Sequence, residues 1–180
     1  MGRDKALIAH PSGGVWLTAL LDQLRALALP VVVVSGHRSH ADLLSGRDGV
    51  TVLEEPVPWN GPLQAFAQVL SPELHRPLMV LPVDMPRLNA EVLHCLIEAW
   101  ATTPQVAAVA HDGERLQPLL GIYPSGSPVQ PMLRSQLNSE QRSWHAWLEC
   151  IDYRSVALPA DALLNANRPE DLAALRDEHL

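Results

Sequence analysis

Two kinds of hydrophobic pattern alternate along the chain. Between Val15 and Leu27, apolar residues recur at helical spacing with polar residues on the opposite face, which predicts an amphipathic helix. Val31–Val34 is a run of four β-branched residues after a proline, and it predicts a strand buried on both faces of a parallel sheet. The same patterns predict helices at Ser39–Leu44, Pro62–Leu70, Ala90–Trp100, Met132–Leu137, Trp144–Leu148 and from Pro169, and strands at Val50–Leu53, Leu78–Leu81, Val106–Ala110, Leu119–Tyr123 and Ser155–Leu158.

The alternation of helices with short apolar strands predicts an α/β fold with a mostly parallel sheet. The chain has 180 residues and no internal repeat, so we expect a single three-layer domain over residues 1–180. Asp112-Gly113 separates two of the strands and predicts a hairpin there. In folds of this class, ligands bind at the carboxyl ends of the strands.

Composition and charge narrow the possible functions. Thirteen Lys and Arg against 20 Asp and Glu give a formal net charge of -7, the wrong sign for a general nucleic-acid surface. The longest apolar run, Leu27–Val34, is interrupted by Pro30 and is well short of the roughly 20 residues that a membrane span needs. No secretory signal pattern follows Met1, and we expect a cytoplasmic protein without membrane or nucleic-acid partners.

The two cysteines, Cys95 and Cys150, are far apart in the sequence and form no Cys-x-x-Cys pattern. This spacing favours reduced core thiols over a disulfide framework or a zinc site.

Acidic residues follow two of the predicted strands. Asp84 lies between Pro82 and Pro86 after an apolar strand, in a loop that would fix the direction of its carboxylate. A single carboxylate at such a position suits Mg²⁺, which completes its coordination with water and phosphate oxygens. A turn-forming Asp that bonds its own backbone is an equally good interpretation of Asp84 alone. Of Glu54 and Glu55, at most one is expected to face a ligand, and solvent exposure of both is the simpler interpretation.

Other polar groups are weaker candidates. Lys5 is a cation that could meet phosphates, although a lysine near a terminus is usually solvated. Gly13-Gly14 could cradle an anion or simply begin a helix. His37 and His40 could bind a metal, but surface histidines are the better interpretation because no third ligand is near in sequence. The chain has no Gly-x-Ser-x-Gly, His-Glu-x-x-His or P-loop motif, so a hydrolase with an activated nucleophile is unsupported.

Six short motifs occur together in an order that resembles the molybdenum cofactor guanylyltransferase (MobA) family of nucleotidyltransferases. Each motif alone is weak, and the six in register make the resemblance specific over essentially the whole chain. They are Met1–Leu7, Val52–Glu55, Gly61–Leu63, Pro82–Pro86, His111–Arg115 with Gln117-Pro118, and Asn165–Leu172.

The resemblance implies a Rossmann-like nucleotidyltransferase that moves GMP from GTP to molybdenum-bearing molybdopterin and releases pyrophosphate. It implies that Lys5 meets the triphosphate and that Asp84 holds Mg²⁺. It also implies nucleotide contacts for Ser35, Glu55 and Gly61, with Glu55 suited to read guanine or its ribose because a carboxylate accepts paired hydrogen bonds.

The acceptor side of the implied site includes Asn165 and Asn167, for which capping and turn roles before the last helix are about equally good interpretations. Molybdoenzymes or other cofactor-assembly proteins are the implied protein partners.

The sequence departs from the family pattern at its start. The glycine-rich loop that precedes Met-Gly in the family is absent, and with it the first strand, so we expect a truncated or misassigned start upstream of Met1. Ser35 stands for the family's Asn, Glu55 for its Asp, and Arg168 for its Thr. The alternatives are a related cytidylyl- or sugar-phosphate nucleotidyltransferase, and a non-catalytic nucleotide- or partner-binding module.

Overall fold

The computed structural model describes residues 4–55, 61–70, 76–139 and 142–166. Six helices and six strands alternate over much of this part of the chain. The helices are α1 (Trp16–Ala26), α2 (Arg38–Leu44), α3 (Pro62–Val69), α4 (Ala90–Ala101), α5 (Val129–Asn138) and α6 (Trp144–Leu148). The strands are β1 (Val31–Val34), β2 (Val50–Leu53), β3 (Leu78–Val80), β4 (Ala107–His111), β5 (Leu116–Tyr123) and β6 (Tyr153–Ala157).

The strands form two sheets. β1 and β2 pair in parallel, and a second sheet has the order β3-β5-β4-β6. β5 is antiparallel to both of its neighbours, whereas β4 and β6 are parallel. Three of the four strands in the larger sheet therefore run in one direction, and the predicted α/β fold with mostly parallel strands is confirmed.

Helices cover both faces of the larger sheet. Side chains alternate across β4, so Ala108 and Ala110 pack with Leu93 and Leu96 of α4 in one core cluster. Ala107 and Val109 point the other way and pack with residues of α3, α5 and α6 in a second cluster. The predicted three-layer arrangement follows, with β4 in its middle.

The smaller sheet is less covered. Val31 and Val33 pack with α1 and α2 in a third cluster, while Val32, between them, is 43% exposed. The prediction that this strand is buried on both faces is therefore wrong. Among the described residues, helices pack against one face of β1 and β2, and the alternation of side chains turns Val32 toward the other face.

The predicted hairpin is confirmed, because β4 and β5 are antiparallel and joined by a turn after His111. Asp112 Oδ1 accepts hydrogen bonds from the backbone N–H groups of Glu114 and Arg115, at 2.9 and 2.7 Å, and Oδ2 accepts one from Gln117. These bonds stabilise the ionised carboxylate and lower the pKa of Asp112 to about 2.

The prediction for the two cysteines is confirmed in one respect and wrong in another. Cys95 and Cys150 are free, as expected, but both are exposed, so the prediction of core thiols is wrong. Cys95 lies on the outer side of α4, whose buried side is formed by Val92, Leu93 and Leu96.

The helix predicted from Pro169 lies outside the described residues. No helix in the described part of the chain has the length and apolar character that crossing a bilayer requires.

Candidate active site

Lys5 and Asp84 form an ion pair. Asp84 lies in the loop after β3, and its Oδ2 accepts a hydrogen bond from Lys5 Nζ at 2.9 Å across 79 positions of sequence. The side chains of Lys5 and Asp84 are 27% and 24% exposed. The carboxylate is therefore neither sealed inside the protein nor fully solvated, and a ligand can reach the pair.

The segment that carries Lys5 is fixed at several points. Lys5 begins a short 3₁₀ turn that Asp4 caps, because Asp4 Oδ1 accepts the backbone N–H of Ala6 at 3.0 Å. Ala6 and Ile8 are buried against residues of α1, and the Trp16 N–H donates to the Ile8 carbonyl. This anchoring directs Lys5 toward the Asp84 loop. The two glycines at positions 13 and 14 belong to the turn that leads into α1.

The Asp84 loop also meets the end of the described chain. The Ala166 N–H donates to the Asp84 carbonyl oxygen at 2.9 Å, and Val83 packs against Ala166. Asn165, predicted on the acceptor side, is therefore next to a residue that contacts the Asp84 loop. Asn167, predicted there too, lies outside the described residues.

Ser35 and Glu55 lie together at the carboxyl ends of β1 and β2. The Ser35 N–H donates to the Leu53 carbonyl at 2.9 Å, which extends the β1–β2 pairing by one residue. Glu55 Oε2 packs so closely on Gly36 that a Cβ atom there would come within 2.9 Å of it. Gly36 thus allows the carboxylate to approach this loop, as parallel pairing of the two strands would predict.

Of the two adjacent acids, Glu54 is exposed and Glu55 is partly buried. The prediction that at most one of them faces a ligand stays a prediction. The Glu54 carbonyl accepts a hydrogen bond from Gln68 of α3. Gly61, predicted to contact the nucleotide, immediately precedes this helix with a φ of 95°, a conformation that favours glycine.

A hydrogen-bond chain through the buried His40 connects Ser35 to Asp4, the residue before Lys5. His40 Nδ1 lies 2.6 Å from Ser35 Oγ, and His40 Nε2 lies 2.8 Å from Asp4 Oδ2. His40 is only 6% exposed, so the interpretation of it as a surface histidine is wrong, whereas His37 is exposed. The sequence did not predict this hydrogen-bond chain, because Asp4 and His40 are 36 positions apart and form no local motif.

The Asp84 carboxylate fits a magnesium ion that also binds phosphates. The described residues contain no group of three or more His, Cys, Asp or Glu side chains arranged to hold a metal ion by themselves. Mg²⁺ commonly takes only one or two protein carboxylates and fills its other positions with water and substrate phosphate oxygens. A partly exposed hard oxygen ligand such as Asp84 meets that requirement.

A cavity of about 380 Å³ lies on another side of the Asp84 loop. Its lining comes from the turn before α1, from α1 itself and from the loop between β3 and α4, and it does not include Lys5, Ser35, Glu55 or Asp84. Met85 and Pro86 line it, and His10 Nε2 lies 3.1 Å from the Pro86 carbonyl. The ion pair and this cavity therefore use different parts of the same loop.

Sequence comparisons relate this chain to a known family. The family model described as MobA-like NTP transferase domain matches residues 1–154. A protein of Rhodopirellula baltica named probable molybdenum cofactor guanylyltransferase is 36% identical, over 96% of this chain and 83% of its own length. A molybdenum cofactor guanylyltransferase of Pseudomonas syringae pv. syringae is 30% identical, over 93% of this chain and 82% of its own length.

Solved structures share the fold. Molybdopterin-guanine dinucleotide biosynthesis protein A from Archaeoglobus fulgidus superposes with a TM-score of 0.74 at 19% identity, covering 98% of this chain and 91% of its own. 4-diphosphocytidyl-2C-methyl-D-erythritol synthase from Anaerococcus prevotii gives a TM-score of 0.73 at 12% identity, covering 97% and 93%. At these identities the likeness concerns the fold alone.

Proposed function

Because the chain belongs to the family of MobA-like NTP transferase domains, we propose that it is a guanylyltransferase of molybdenum cofactor biosynthesis. It joins GMP from GTP to the phosphate of molybdopterin bearing molybdenum and releases pyrophosphate. The names of the relatives from R. baltica and P. syringae support this substrate pair. The observation that carries the proposal is the accessible ion pair between Lys5 and Asp84, in the loop that follows β3.

The reaction needs alignment and charge neutralisation more than a protein nucleophile. A phosphate oxygen of the acceptor attacks the α-phosphorus of GTP and forms a new P–O bond. The bond between the α-phosphorus and the bridging oxygen of pyrophosphate breaks at the same centre. Both reactants are anions, so the protein has to hold them close together and offset their negative charge.

Lys5 and Asp84 divide this task in our proposal. The Lys5 ammonium group contacts the triphosphate and stabilises the negative charge on the departing pyrophosphate. The Asp84 carboxylate holds Mg²⁺. A bound Mg²⁺ supplies Lewis-acid neutralisation of the phosphate oxygens.

The remaining residues bind the two substrates. Ser35 and Glu55 contact the nucleoside at the ends of β1 and β2, and Gly61 contributes at the start of α3. We assign Asn165 and Asn167 to the binding of molybdopterin. The contact between Ala166 and the Asp84 loop supports this for Asn165, and Asn167 is outside the described residues. Molybdoenzymes or other cofactor-assembly proteins in the cytoplasm receive the product.

An Asp84→Asn variant tests the proposal. The amide keeps the shape of the side chain but removes its negative charge, so we expect Mg²⁺-dependent formation of the guanine dinucleotide to fall about 10²- to 10³-fold, as for other preorganised electrostatic groups. The measurement is pyrophosphate release and dinucleotide product from GTP and molybdenum-loaded molybdopterin. Asp48→Asn, a neutralised exposed acid, is the matched control and should retain the wild-type rate.

Replacing GTP by CTP in the same assay separates the alternatives. A preference for CTP would assign the protein to a related cytidylyltransferase. Nucleotide binding without turnover of either substrate would indicate a binding module, and an unchanged rate in Asp84→Asn would remove Asp84 from the mechanism.

A further inference from the structure

The hydrogen-bond chain from Asp4 through His40 to Ser35 fixes the position of the imidazole at both nitrogens. Asp4 Oδ2 lies 2.8 Å from Nε2, and Ser35 Oγ lies 2.6 Å from Nδ1. His40 and Ser35 are 6% and 8% exposed. A buried imidazole with two short contacts has little freedom to turn, so its neighbours determine where its proton is held.

The proton positions follow from the partners. A carboxylate can only accept, so Nε2 carries the hydrogen and donates it to Asp4. In the neutral imidazole Nδ1 is then the acceptor, and the Ser35 hydroxyl donates to it. Ser35 Oγ also accepts the backbone N–H of His37 at 3.1 Å. When the imidazole is neutral, the hydroxyl hydrogen is therefore committed inside the protein, and Ser35 offers only an oxygen lone pair to a ligand.

We propose that Asp4 and His40 are positioning residues that hold the Ser35 hydroxyl as a hydrogen-bond acceptor, so that it selects an N–H or O–H donor of the bound nucleoside. This inference rests on the proposed nucleotide site and adds a specificity element to it. A hydroxyl that could rotate would accept or donate and would discriminate less between ligands. Asp4 and His40 act through Ser35 and do not themselves contact the ligand.

Asp4 also joins this element to the phosphate side of the site. Its Oδ1 accepts the Ala6 N–H in the turn that carries Lys5, while its Oδ2 holds His40. One carboxylate thus fixes both the segment that presents the ammonium group and the imidazole that orients Ser35. His40 is the better residue to vary, because Asp4 also caps the turn that carries Lys5.

A hydrogen-bonded series of serine, histidine and aspartate also occurs in enzymes that activate the serine as a nucleophile. Such a serine attacks an electrophile and carries the transferred group on its oxygen. The transfer proposed above needs no protein nucleophile, because a phosphate oxygen of the acceptor attacks the α-phosphorus of GTP. The proposed reaction therefore favours orientation of the Ser35 hydroxyl over its activation.

The first test reads the proton directly and needs no nucleotide. In a ¹⁵N spectrum of the full chain, we expect the His40 ring to show a protonated Nε2 and an unprotonated Nδ1 near neutral pH. An Nδ1–H tautomer, or an imidazolium with both nitrogens protonated, would overturn the proposal.

The second test is a double-mutant cycle on GTP. We expect His40→Phe to raise the KM for GTP about two- to tenfold with little change in kcat, as for the loss of one neutral hydrogen bond from binding. Ser35→Ala should have a similar effect, and Ser35→Ala combined with His40→Phe should be no worse than Ser35→Ala alone. His40→Asn, which can restore a hydrogen-bonding group near Ser35, should recover part of the loss.

His94→Phe is the matched control, since His94 is an exposed residue of α4 paired with Glu98 on the same helix. Additive effects of the Ser35 and His40 substitutions, or covalent labelling of Ser35 by a fluorophosphonate probe, would overturn the positioning role.

Inosine triphosphate and 2′-deoxy-GTP distinguish the donor, because the first lacks the base amino group and the second lacks a ribose hydroxyl. If the wild-type protein binds no GTP in calorimetry, the proposed function itself fails; if it binds GTP and the variants match it, only this inference fails.

Discussion

The two sheets of this protein differ in burial, although both are built from apolar strands. Residues 107–110 of β4 are all 0% exposed, because helices cover both faces of the larger sheet and β4 pairs on both edges. In the smaller sheet, Val32 is 43% exposed and β1 pairs with β2 alone among the described strands. Most of the described buried apolar residues pack in the two clusters around the larger sheet. Two residues of the proposed site, Ser35 and Glu55, extend from the smaller one.

Aromatic side chains of α3, β5 and α6 form a cluster on one face of the larger sheet. Among the described residues, the smaller sheet has no such cluster. Phe66, Tyr123, Trp144 and Trp147 have ring centroids 5.1 to 5.7 Å apart. The Trp144 Nε1–H donates to the Tyr123 hydroxyl, and burial raises the pKa of Tyr123 above its ordinary value. Such close contacts between large rings add to the stabilisation from buried area.

The largest expected effect is on this cluster. Trp147→Ala removes a side chain with 0% exposure and leaves a cavity, so the free energy of unfolding should fall by about 3–5 kcal/mol. Val32→Ala in β1 should change it by no more than about 0.5 kcal/mol, because Val32 is already 43% exposed. Urea unfolding of both variants provides the measurement. Equal losses would show that the two sheets contribute alike.

A smaller effect is expected in amide hydrogen exchange. Amides of β4 should exchange at least about tenfold more slowly than those of β1 and β2, which corresponds to about 1.4 kcal/mol more protection. The reason is that β4 is bonded on both edges and buried on both faces, while β1 has neither property in the described structure. Exchange of both groups at one rate, through global unfolding alone, would contradict the comparison.

The smallest and most local effect concerns the β4–β5 turn in the larger sheet. The pKa of Asp112 is lowered from 3.8 to about 2, so its hydrogen bonds contribute stability that is fully present above pH 3.8 and is lost as the pH falls through about 2. An NMR titration of the Asp112 carboxyl group should give a midpoint near 2, with Glu114→Gln as a control that leaves it unchanged. A midpoint near 3.8 would mean that the turn does not hold the carboxylate.

Local structure was largely predictable because its causes are local. The helical spacing of apolar residues predicted helices at nearly the observed bounds. For example, Val15–Leu27 was predicted and Trp16–Ala26 is observed. The ends of α5 were harder, since the predicted Met132–Leu137 extends in the structure to Val129–Asn138. Its first turn follows Pro128 without a side-chain cap, so the sequence carries little signal for where it begins.

The candidate site was predictable only in part. Strand-end positions pointed to Asp84 and to one of Glu54 and Glu55, because parallel strands end at a common edge. Ser35 was added by the family resemblance. The burial of His40 was not predictable, since a buried histidine and an exposed one look alike without the partners that surround them. Exposure of Cys95 has the same cause, because helical spacing alone did not show how wide the buried side of α4 would be.

The sequence by itself determined the order of helices and strands, the turn at Asp112-Gly113 and the acids that follow the strands, because periodicity, turn chemistry and strand ends are properties of short segments. Only the tertiary structure decided that Lys5 meets Asp84 and that Asp4 meets His40, across 79 and 36 positions. These contacts depend on how α1, and the segment before it that carries Asp4 and Lys5, pack against the rest of the protein. The free energy of that packing is shared among many distant side chains, so no short motif contains it.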